Sequence, residues 1–229
     1  MRQPRLRIDL LTLFPKLLEA PLDESMAKQA KKRGAVQIHV HNLRDYARDK
    51  RRSCDDKPFG GGAGMVLMIQ PIHDCLASIH GRGWRVSVSP RGRVFDHSAA
   101  KRLACKRHLI FICGHYEGVD ERVHQHLVDE EISAGNFVTT GGEFPALCFV
   151  DAIVRLVPGA LGNRKSLDEE SFGNGLLDFP QYTKPRGFRG WKTPEILLSG
   201  DHHAVQAWRK EQAASMTKRY RPDLMRGSK

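Results

Sequence analysis

The sequence predicts an α/β protein with a largely parallel sheet, followed by a small helical C-terminal domain. Short apolar runs such as Leu6–Phe14 and Leu109–Cys113 alternate with amphipathic stretches of helical length, and this alternation is typical of βαβ units. Glycine-containing turns follow several of the apolar runs. From Gly162 to Thr193 the chain is polar and rich in glycine and proline. A stretch of that length is a functional loop or a linker, so the second domain is expected after it.

Proline and glycine bound the predicted elements of the first half. Leu6–Phe14 is predicted to be a buried strand that stops at Pro15. An amphipathic helix is predicted next, over Leu17–Lys32, and Gly34 suits its C-cap. Further elements of this half are predicted from their periodicity, namely a strand over Val36–Val40 and a helix over Ile69–His80.

A second series of strands and helices follows. Arg85–Ser89 is predicted to be a strand that turns at Pro90-Arg91-Gly92-Arg93. Leu109–Cys113 is continuously apolar, which indicates a buried parallel strand. Phe137–Thr139 is a further predicted strand because the run is apolar and β-branched. The predicted helices of the remaining chain are Asp96–Lys106, Asp120–Val128, Pro145–Leu156 and His203–Arg219.

The charge of the chain favours a polyanionic partner. Its 229 residues include 37 Lys and Arg against 26 Asp and Glu, a formal net charge of +11. The hydrophobic share of 40% and the charged share of 28% are ordinary for a soluble globular protein. A solvated basic face is the simpler interpretation, but an excess of this size is more typical of a protein that binds nucleic acid.

Cysteine usage and the N-terminus predict a cytoplasmic protein. The five cysteines are odd in number and form no C-x-x-C pair, which excludes a disulfide framework and a zinc knuckle. The N-terminal apolar run is interrupted by Arg7 and Asp9, so it is unlike a signal peptide. No apolar run approaches the roughly 20 residues that cross a bilayer, and no membrane contact is expected.

Three glycine turns follow predicted strands, and together they indicate a ligand site. None matches the phosphate-binding P-loop or the dinucleotide-binding G-x-G-x-x-G pattern. Each turn alone is more often plain structure, but open parallel sheets bind ligands at the carboxyl ends of their strands. We therefore expect a mostly neutral ligand held by backbone groups. The turns are Ser89-Pro90-Arg91-Gly92-Arg93, Cys113-Gly114-His115-Tyr116-Glu117-Gly118 and Thr140-Gly141-Gly142-Glu143.

These turns belong to a longer series of ordered motifs. The series is Leu11-Thr12-Leu13-Phe14-Pro15, Asp55-Asp56-Lys57-Pro58-Phe59-Gly60-Gly61-Gly62-Ala63-Gly64-Met65, Ser89-Pro90-Arg91-Gly92, Cys113-Gly114-His115-Tyr116-Glu117-Gly118-Val119-Asp120-Glu121-Arg122, Thr140-Gly141-Gly142-Glu143, Pro158-Gly159-Ala160-Leu161-Gly162, Gly175-Leu176-Leu177-Asp178, Tyr182-Thr183-Lys184-Pro185 and Leu197-Leu198-Ser199-Gly200-Asp201-His202. With these motifs, over nearly its whole length, the chain resembles the bacterial tRNA (guanine-N1)-methyltransferases, the TrmD family.

The resemblance implies a fold and an activity. The fold is a trefoil-knotted α/β domain of the SPOUT type with a small helical C-terminal domain, in a homodimer whose active site lies at the subunit interface. The activity is methyl transfer from S-adenosyl-L-methionine to N1 of guanosine 37, in a tRNA with G at positions 36 and 37. The implied domains are a knotted cofactor-binding domain over 1–161, an interdomain loop or linker over 162–190, and a tRNA-binding domain over 191–229.

The resemblance also assigns the cofactor site. It implies that main-chain groups of the knot and of two facing loops surround the adenosine, where glycine permits close approach. The implied residues are Val88, Ser89, Pro90, Gly114, Glu117, Ala134, Gly135, Asn136, Phe137, Val138, Thr139, Gly141, Gly142 and Pro145. Glu117 is also implied as a ligand of the Mg²⁺ that the family uses, since Mg²⁺ is commonly held by one or two carboxylates.

The catalytic residues follow from the resemblance and from the chemistry. Guanine N1 carries a proton that must leave, which requires a general base and a cation near O6. The family has an aspartate as base where this chain has Glu170, and Asp168 is the alternative. The resemblance gives Arg155 either the cationic role at O6 or electrostatic support of the base, and it implies that Asp55 lies near the target guanosine. Without the resemblance, the acidic stretch around Glu170 would be interpreted as a solvated loop.

Two other functions stay open at this point. The change from aspartate to glutamate at position 170 is compatible with a non-catalytic RNA-binding protein that retains the knot. A SPOUT methyltransferase acting on another RNA position is the second alternative.

Overall fold

The structure, a computed structural model, describes residues 4–161 and 170–225. The chain divides into two compact units, Met1–Gly162 and Asn163–Lys229. The assignment of separate binding roles to these regions stays a prediction.

A five-stranded parallel sheet forms the centre of the first unit. Its strands are β1 (Leu6–Thr12), β2 (Val36–Asn42), β5 (Trp84–Val94), β6 (His108–Cys113) and β7 (Glu130–Ser133), and a separate two-stranded ribbon is formed by β3 (Asp55–Asp56) and β4 (Val66–Leu67). The order in the sheet is β2-β1-β6-β5-β7, with parallel pairing at every step. The helices of this unit are α1 (Pro15–Leu22), α2 (Ser25–Lys32), α3 (Ile69–Ser78), α4 (His97–Ala104), α5 (Glu121–His126) and α6 (Glu143–Val154). The predicted α/β class with a parallel sheet is confirmed.

Side chains alternate between two hydrophobic layers, one on each face of the sheet. Ile8 and Leu10 of β1 belong to one layer, together with Phe149 of α6. Leu11 and Ile112 belong to the other layer. This alternation follows from the two-residue period of a strand. Burying a side chain of the size of Phe149 stabilises the fold by about 2 to 3 kcal/mol.

Two predicted elements differ from the structure in more than their bounds. The single helix predicted over Leu17–Lys32 is two helices, because α1 ends at Leu22 and α2 begins at Ser25. The predicted strand Phe137–Thr139 is wrong. These residues form a loop with no strand pairing, and Val138 is 83% exposed. The edge strand is instead Glu130–Ser133, which pairs with β5.

The strand β5 is longer than predicted, and it contains an excursion. Val88 and Arg93 both align with Ile132 of β7, so residues 89–92 leave the ladder and return to it. A Cβ on Gly92 would lie 2.4 Å from the carbonyl carbon of Glu131. Glycine therefore allows the returning chain to lie directly on the β7 backbone.

A fully buried carboxylate joins three strands on one face of the sheet. Asp9 on β1 accepts a hydrogen bond from Arg7 Nε at 2.7 Å and contacts His41 Nε2 at 2.6 Å and His108 Nε2 at 2.7 Å. Burial raises the pKa of Asp9, but the hydrogen bonds from His41, Arg7 and His108 outweigh it and hold that pKa well below its ordinary value. A buried charge of this kind is stable because every partner is present.

Asp9→Asn is expected to destabilise the fold by about 3 kcal/mol, because it leaves Arg7 and two imidazoles without their anion. A carboxyl whose pKa is depressed by folding stabilises the fold above its unfolded pKa, about 4, and loses this contribution as pH falls below that value. Urea unfolding between pH 3 and pH 7 measures both effects. The variant should show a smaller loss of stability towards acid than the wild type, and equal slopes would contradict the assignment to Asp9.

Residues 170–225, the described part of the second unit, include a long helix and a short hairpin. Helix α7 (His202–Tyr220) is capped by Asp201, whose carboxylate accepts backbone N–H groups of His203 and Ala204 at 3.0 Å. The strands β8 (Gly187–Phe188) and β9 (Trp191–Lys192) form the hairpin. The chain before the hairpin contacts α7, because the Leu177 N–H donates to Thr217 Oγ1 at 2.9 Å.

Candidate functional site

A cavity of about 230 Å³ lies at the carboxyl ends of β6 and β7 and beside the excursion in β5. The chain reaches it directly after β6 and after β7, which is the position expected for a ligand site in an open parallel sheet. The cavity is lined by Ser87, Val88, Ser89, Pro90, Gly114, His115, Tyr116, Glu117, Gly118, Val119, His124, Ser133, Ala134, Phe137, Val138, Thr139, Thr140, Gly141, Gly142 and Pro145.

The cavity brings together most of the residues implied for cofactor binding. The members of that set which line it are Val88, Ser89, Pro90, Gly114, Glu117, Ala134, Phe137, Val138, Thr139, Gly141, Gly142 and Pro145. Gly135 and Asn136 belong to the same loop but do not line the cavity. The role of each of these residues towards a cofactor stays a prediction.

Two of the glycine turns lie directly against each other. The Gly142 N–H donates to the Gly114 carbonyl at 2.8 Å, and His115 pairs with Gly141 in an isolated antiparallel bridge. The loop that follows β7 is thus closed onto the loop that follows β6. This closure shapes one wall of the cavity from main-chain atoms.

The buried carboxylate of Glu143 lies beside the contact between these two turns. Glu143, at the start of α6, is 1% exposed, and its Oε1 accepts a hydrogen bond from Thr12 Oγ1 at 2.7 Å. Its Oε2 lies 3.6 Å from Nδ1 of His115. A Cβ on Gly141 would lie 2.3 Å from both of these atoms. Position 141 must therefore be glycine for the carboxylate and the imidazole to approach each other.

Buried polar atoms stand in the cavity wall. Ser87 Oγ, His115 Nδ1 and His124 Nδ1 are buried and make no hydrogen bond within the described part of the chain. Nδ1 of His124 lies 3.3 Å from Oε2 of Glu131, close enough for electrostatic attraction but without hydrogen-bond geometry. Burial lowers the pKa of His124, because the charged imidazolium is penalised there.

An exposed arginine pairs with two carboxylates beside this wall. Arg91 pairs with Glu131 and with Glu121. Hydrogen bonds from Arg91 lower the pKa of Glu131. The carboxylate next to His124 is therefore ionised and already has a cationic partner.

Glu117 faces the glycine-rich loop before β4. A Cβ on Gly64 would lie 2.4 Å from the Glu117 carboxylate, and the Glu117 N–H donates to the Met65 carbonyl at 3.1 Å. In the two-stranded ribbon, Asp55 of β3 pairs with Leu67 of β4. The Leu67 N–H in turn donates to the Gly118 carbonyl at 2.9 Å. Asp55 is therefore held, through β4, on the loop that carries Glu117.

The residues implied as catalytic are placed as follows. Arg155 is the C-cap of α6, with its N–H donating to the Asp151 carbonyl at 3.3 Å. Glu170 belongs to the second unit and opens a turn in which its carbonyl accepts the Gly173 N–H at 3.1 Å. Asp168 lies outside the described residues. The roles of all three stay predictions.

Sequence reasoning missed part of this site. It assigned no role to Thr12, Glu143 or His124, although Thr12 and Glu143 lie in the motifs given above. The signal that could have found Glu143 is an acidic side chain directly after Gly141-Gly142, at the start of an apolar helix. Thr12 gave no local signal, because it lies 131 residues before its partner Glu143.

Features of metal sites and of membrane-spanning proteins are absent from the described residues. Within residues 4–161 and 170–225, no three His, Cys, Asp or Glu side chains come together as a metal site. Of the helices in these ranges, none combines the length and the apolar character that crossing a membrane requires.

The chain is similar to known proteins over almost its whole length. Residues 6–227 match the family described as tRNA (Guanine-1)-methyltransferase TrmD. A protein of Dictyoglomus turgidum, named tRNA (guanine-N(1)-)-methyltransferase, is 50% identical, covering 96% of this chain and 90% of its own length. Proteins with the same name from Carboxydothermus hydrogenoformans and Geobacter sulfurreducens are 48% and 47% identical over 96% of this chain, and the matches cover 88% and 91% of their own lengths. The chain therefore belongs to the TrmD family.

Proposed function

We propose that this protein transfers a methyl group from S-adenosyl-L-methionine to N1 of guanosine 37, in a tRNA with G at positions 36 and 37. The observation that carries the proposal is the cavity at the carboxyl edge of the sheet, formed by the glycine turns that the family motifs contain. The net charge of +11 supports a polyanionic substrate.

The walls of the cavity fit an adenosine-containing ligand. Gly114, Gly141 and Gly142, which offer only main-chain atoms, line the space together with the apolar residues Val88 and Pro145. The buried Oγ of Ser87 makes no hydrogen bond among the described residues, which suits a ligand that carries hydrogen-bonding groups. When bound, S-adenosyl-L-methionine supplies an electrophilic methyl carbon.

The side chains then have three tasks. Glu170 accepts the proton that leaves guanine N1, with Asp168 as the alternative base. Arg155 offsets negative charge that develops on O6, and the loops fix the donor so that N1 approaches the methyl carbon in line. Asp55 provides acceptor oxygens for N–H groups of guanine.

A Mg²⁺ ion is a further part of the proposal. Glu117 is one carboxylate in the cavity wall, and Mg²⁺ usually completes its octahedron with water and substrate oxygens. Glu117 would hold the ion in that manner. No step of the reaction is assigned to it.

We also propose that the protein is a cytoplasmic homodimer with a trefoil-knotted SPOUT domain, and that its active site lies at the subunit interface. The exposed side chains on the outer face of α6 support the proposal of a homodimer. Phe144 is 58% exposed and Cys148 is exposed, although the helix is mainly apolar. A second copy of the chain would cover this face.

Transfer of labelled methyl from S-adenosyl-L-methionine to tRNA transcripts tests the function. The transcript with G at positions 36 and 37 should become labelled, and replacing guanosine 37 alone should abolish labelling. Labelling that persists without guanosine 37 would mean that another RNA position is the target. Binding of tRNA without any transfer would identify a non-catalytic RNA-binding protein.

A further inference from the structure

The short hairpin of the second unit is preformed. Its strands β8 and β9 are joined by Arg189 and Gly190, with φ of 49° and 88°. Two positive φ values are the pattern of a type I′ turn, whose twist matches that of a hairpin. The Thr193 N–H donates to the Arg186 carbonyl at 2.9 Å and closes the ladder. Binding a ligand to this hairpin would therefore cost little ordering entropy.

Two large aromatic side chains stand exposed on one face of the hairpin. Phe188 and Trp191 are direct cross-strand neighbours, so they project to the same side. Their ring centroids are 6.0 Å apart. Phe188 is 54% exposed and Trp191 is 71% exposed. Leaving such rings exposed to solvent is unfavourable, and a bound partner would remove that cost.

The surroundings of the aromatic pair are cationic. No acidic residue occurs between Asp178 and Glu195. The guanidinium carbon of Arg189 lies 5.4 Å from the centroid of the Phe188 ring, in the range of a cation–π contact. The cations of this segment are Lys184, Arg186, Arg189 and Lys192.

We propose that this aromatic hairpin, residues 184–192, stacks on an unpaired nucleobase of the RNA substrate while Arg189 and Lys192 contact the adjacent phosphates. The inference rests on the proposed function for the identity of the RNA. Aromatic rings beside cations are how proteins hold unpaired bases, because every base has a π face and a phosphate next to it. A second copy of the same hairpin is a poorer occupant, because this segment carries four cations and no acidic residue and would oppose like charges.

Trp191 variants separate stacking from simple hydrophobic contact. Trp191→Leu keeps an apolar side chain without a π face, and Trp191→Phe keeps the π face. We expect Trp191→Leu to weaken tRNA binding by about 5- to 100-fold, in the range known for one stacked base, and Trp191→Phe to retain most of the affinity. The measurement is the equilibrium affinity of the full chain for a tRNA transcript, at fixed salt and with S-adenosylhomocysteine present.

A charge variant gives a second, independent result. Arg189→Gln should reduce the slope of log affinity against log salt by a little under one, as expected for one lost phosphate contact. Lys32→Gln removes an exposed cation of α2 and should leave that slope unchanged. Calorimetry with S-adenosylhomocysteine should give the same affinity for the wild type and every variant of the hairpin.

The outcomes distinguish this proposal from the proposed function. If Trp191→Leu binds and methylates tRNA like the wild type, the hairpin assignment is overturned and the function stands. If affinity depends on Trp191 but no methyl is transferred, the function fails and the stacking surface stands. Equal tRNA affinity of the leucine and phenylalanine variants, together with a changed oligomeric state of both in sedimentation, would show a protein–protein contact instead.

Discussion

Glu170→Gln is expected to lower kcat for methyl transfer to a guanosine-37 tRNA by about 100- to 10,000-fold, the range that general-base catalysis supplies. Glutamine has nearly the shape of glutamate but cannot accept the proton that leaves guanine N1. The amide should therefore leave tRNA binding nearly unchanged. It should also leave the affinity for S-adenosyl-L-methionine unchanged, because Glu170 is not among the residues predicted to bind the cofactor.

Single-turnover methyl transfer and calorimetry with S-adenosyl-L-methionine measure these two quantities separately. Glu170→Asp restores the carboxylate with one methylene less, and it should recover a large part of the rate. Asp168→Asn is the matched control for a neighbouring acidic side chain. If Asp168→Asn abolishes the single-turnover rate and Glu170→Gln does not, then Asp168 is the base and the assignment to Glu170 is wrong.

The fold was predictable from the sequence where burial makes a strand uniformly apolar. Leu109–Cys113 is continuously apolar, and β6 lies at the centre of the sheet with a neighbour on each side. The edge strand Glu130–Ser133 was missed because its first two residues are acidic. Those carboxylates are not simply solvated. Glu130 accepts hydrogen bonds from Arg102, and Glu131 accepts hydrogen bonds from Arg91.

The false strand Phe137–Thr139 has a related cause. Its β-branched and aromatic composition favours a strand, but strand propensity depends on a partner that the local sequence does not specify. Here the run follows Gly135, whose φ of 154° lies outside the usual range of other residues. The chain turns there, and Phe137 and Val138 line the cavity instead of a ladder. Apolar residues that line a cavity therefore resemble, in the sequence, those of a buried strand.

The parts of the site that could be predicted are those formed by residues that are close together in the sequence. The turns after the strands are sequence motifs, and the common edge of a parallel sheet explains why they meet. The pair of Thr12 and Glu143 needs the strand order as well, since β1 and α6 are distant in the chain. The position of Glu170 relative to the cavity cannot be read from periodicity, because it depends on how two units are arranged.

Gly142→Ala is expected to weaken binding of S-adenosyl-L-methionine by more than 100-fold, and to destabilise the first unit by about 1 to 3 kcal/mol, the usual range for overpacking. The backbone of Gly142 has φ −77° and ψ −6°, which any residue adopts, so conformation alone does not require glycine. Space does. An added Cβ would lie 2.9 Å from Cα of Cys113 and 3.1 Å from N of Gly114. Both are backbone atoms of the β6 turn and cannot rotate away.

The methyl group must therefore separate the two turns, which breaks the hydrogen bond from Gly142 to Gly114 and opens the cavity wall that they form. Calorimetry with S-adenosyl-L-methionine and thermal unfolding measure the two effects. Gly187→Ala is the control, because its Cβ would meet only the Trp191 carbonyl oxygen at an ordinary 3.8 Å. It should change neither cofactor affinity nor the unfolding of the first unit. Normal cofactor affinity in Gly142→Ala would mean that the ligand does not depend on the contact between these turns.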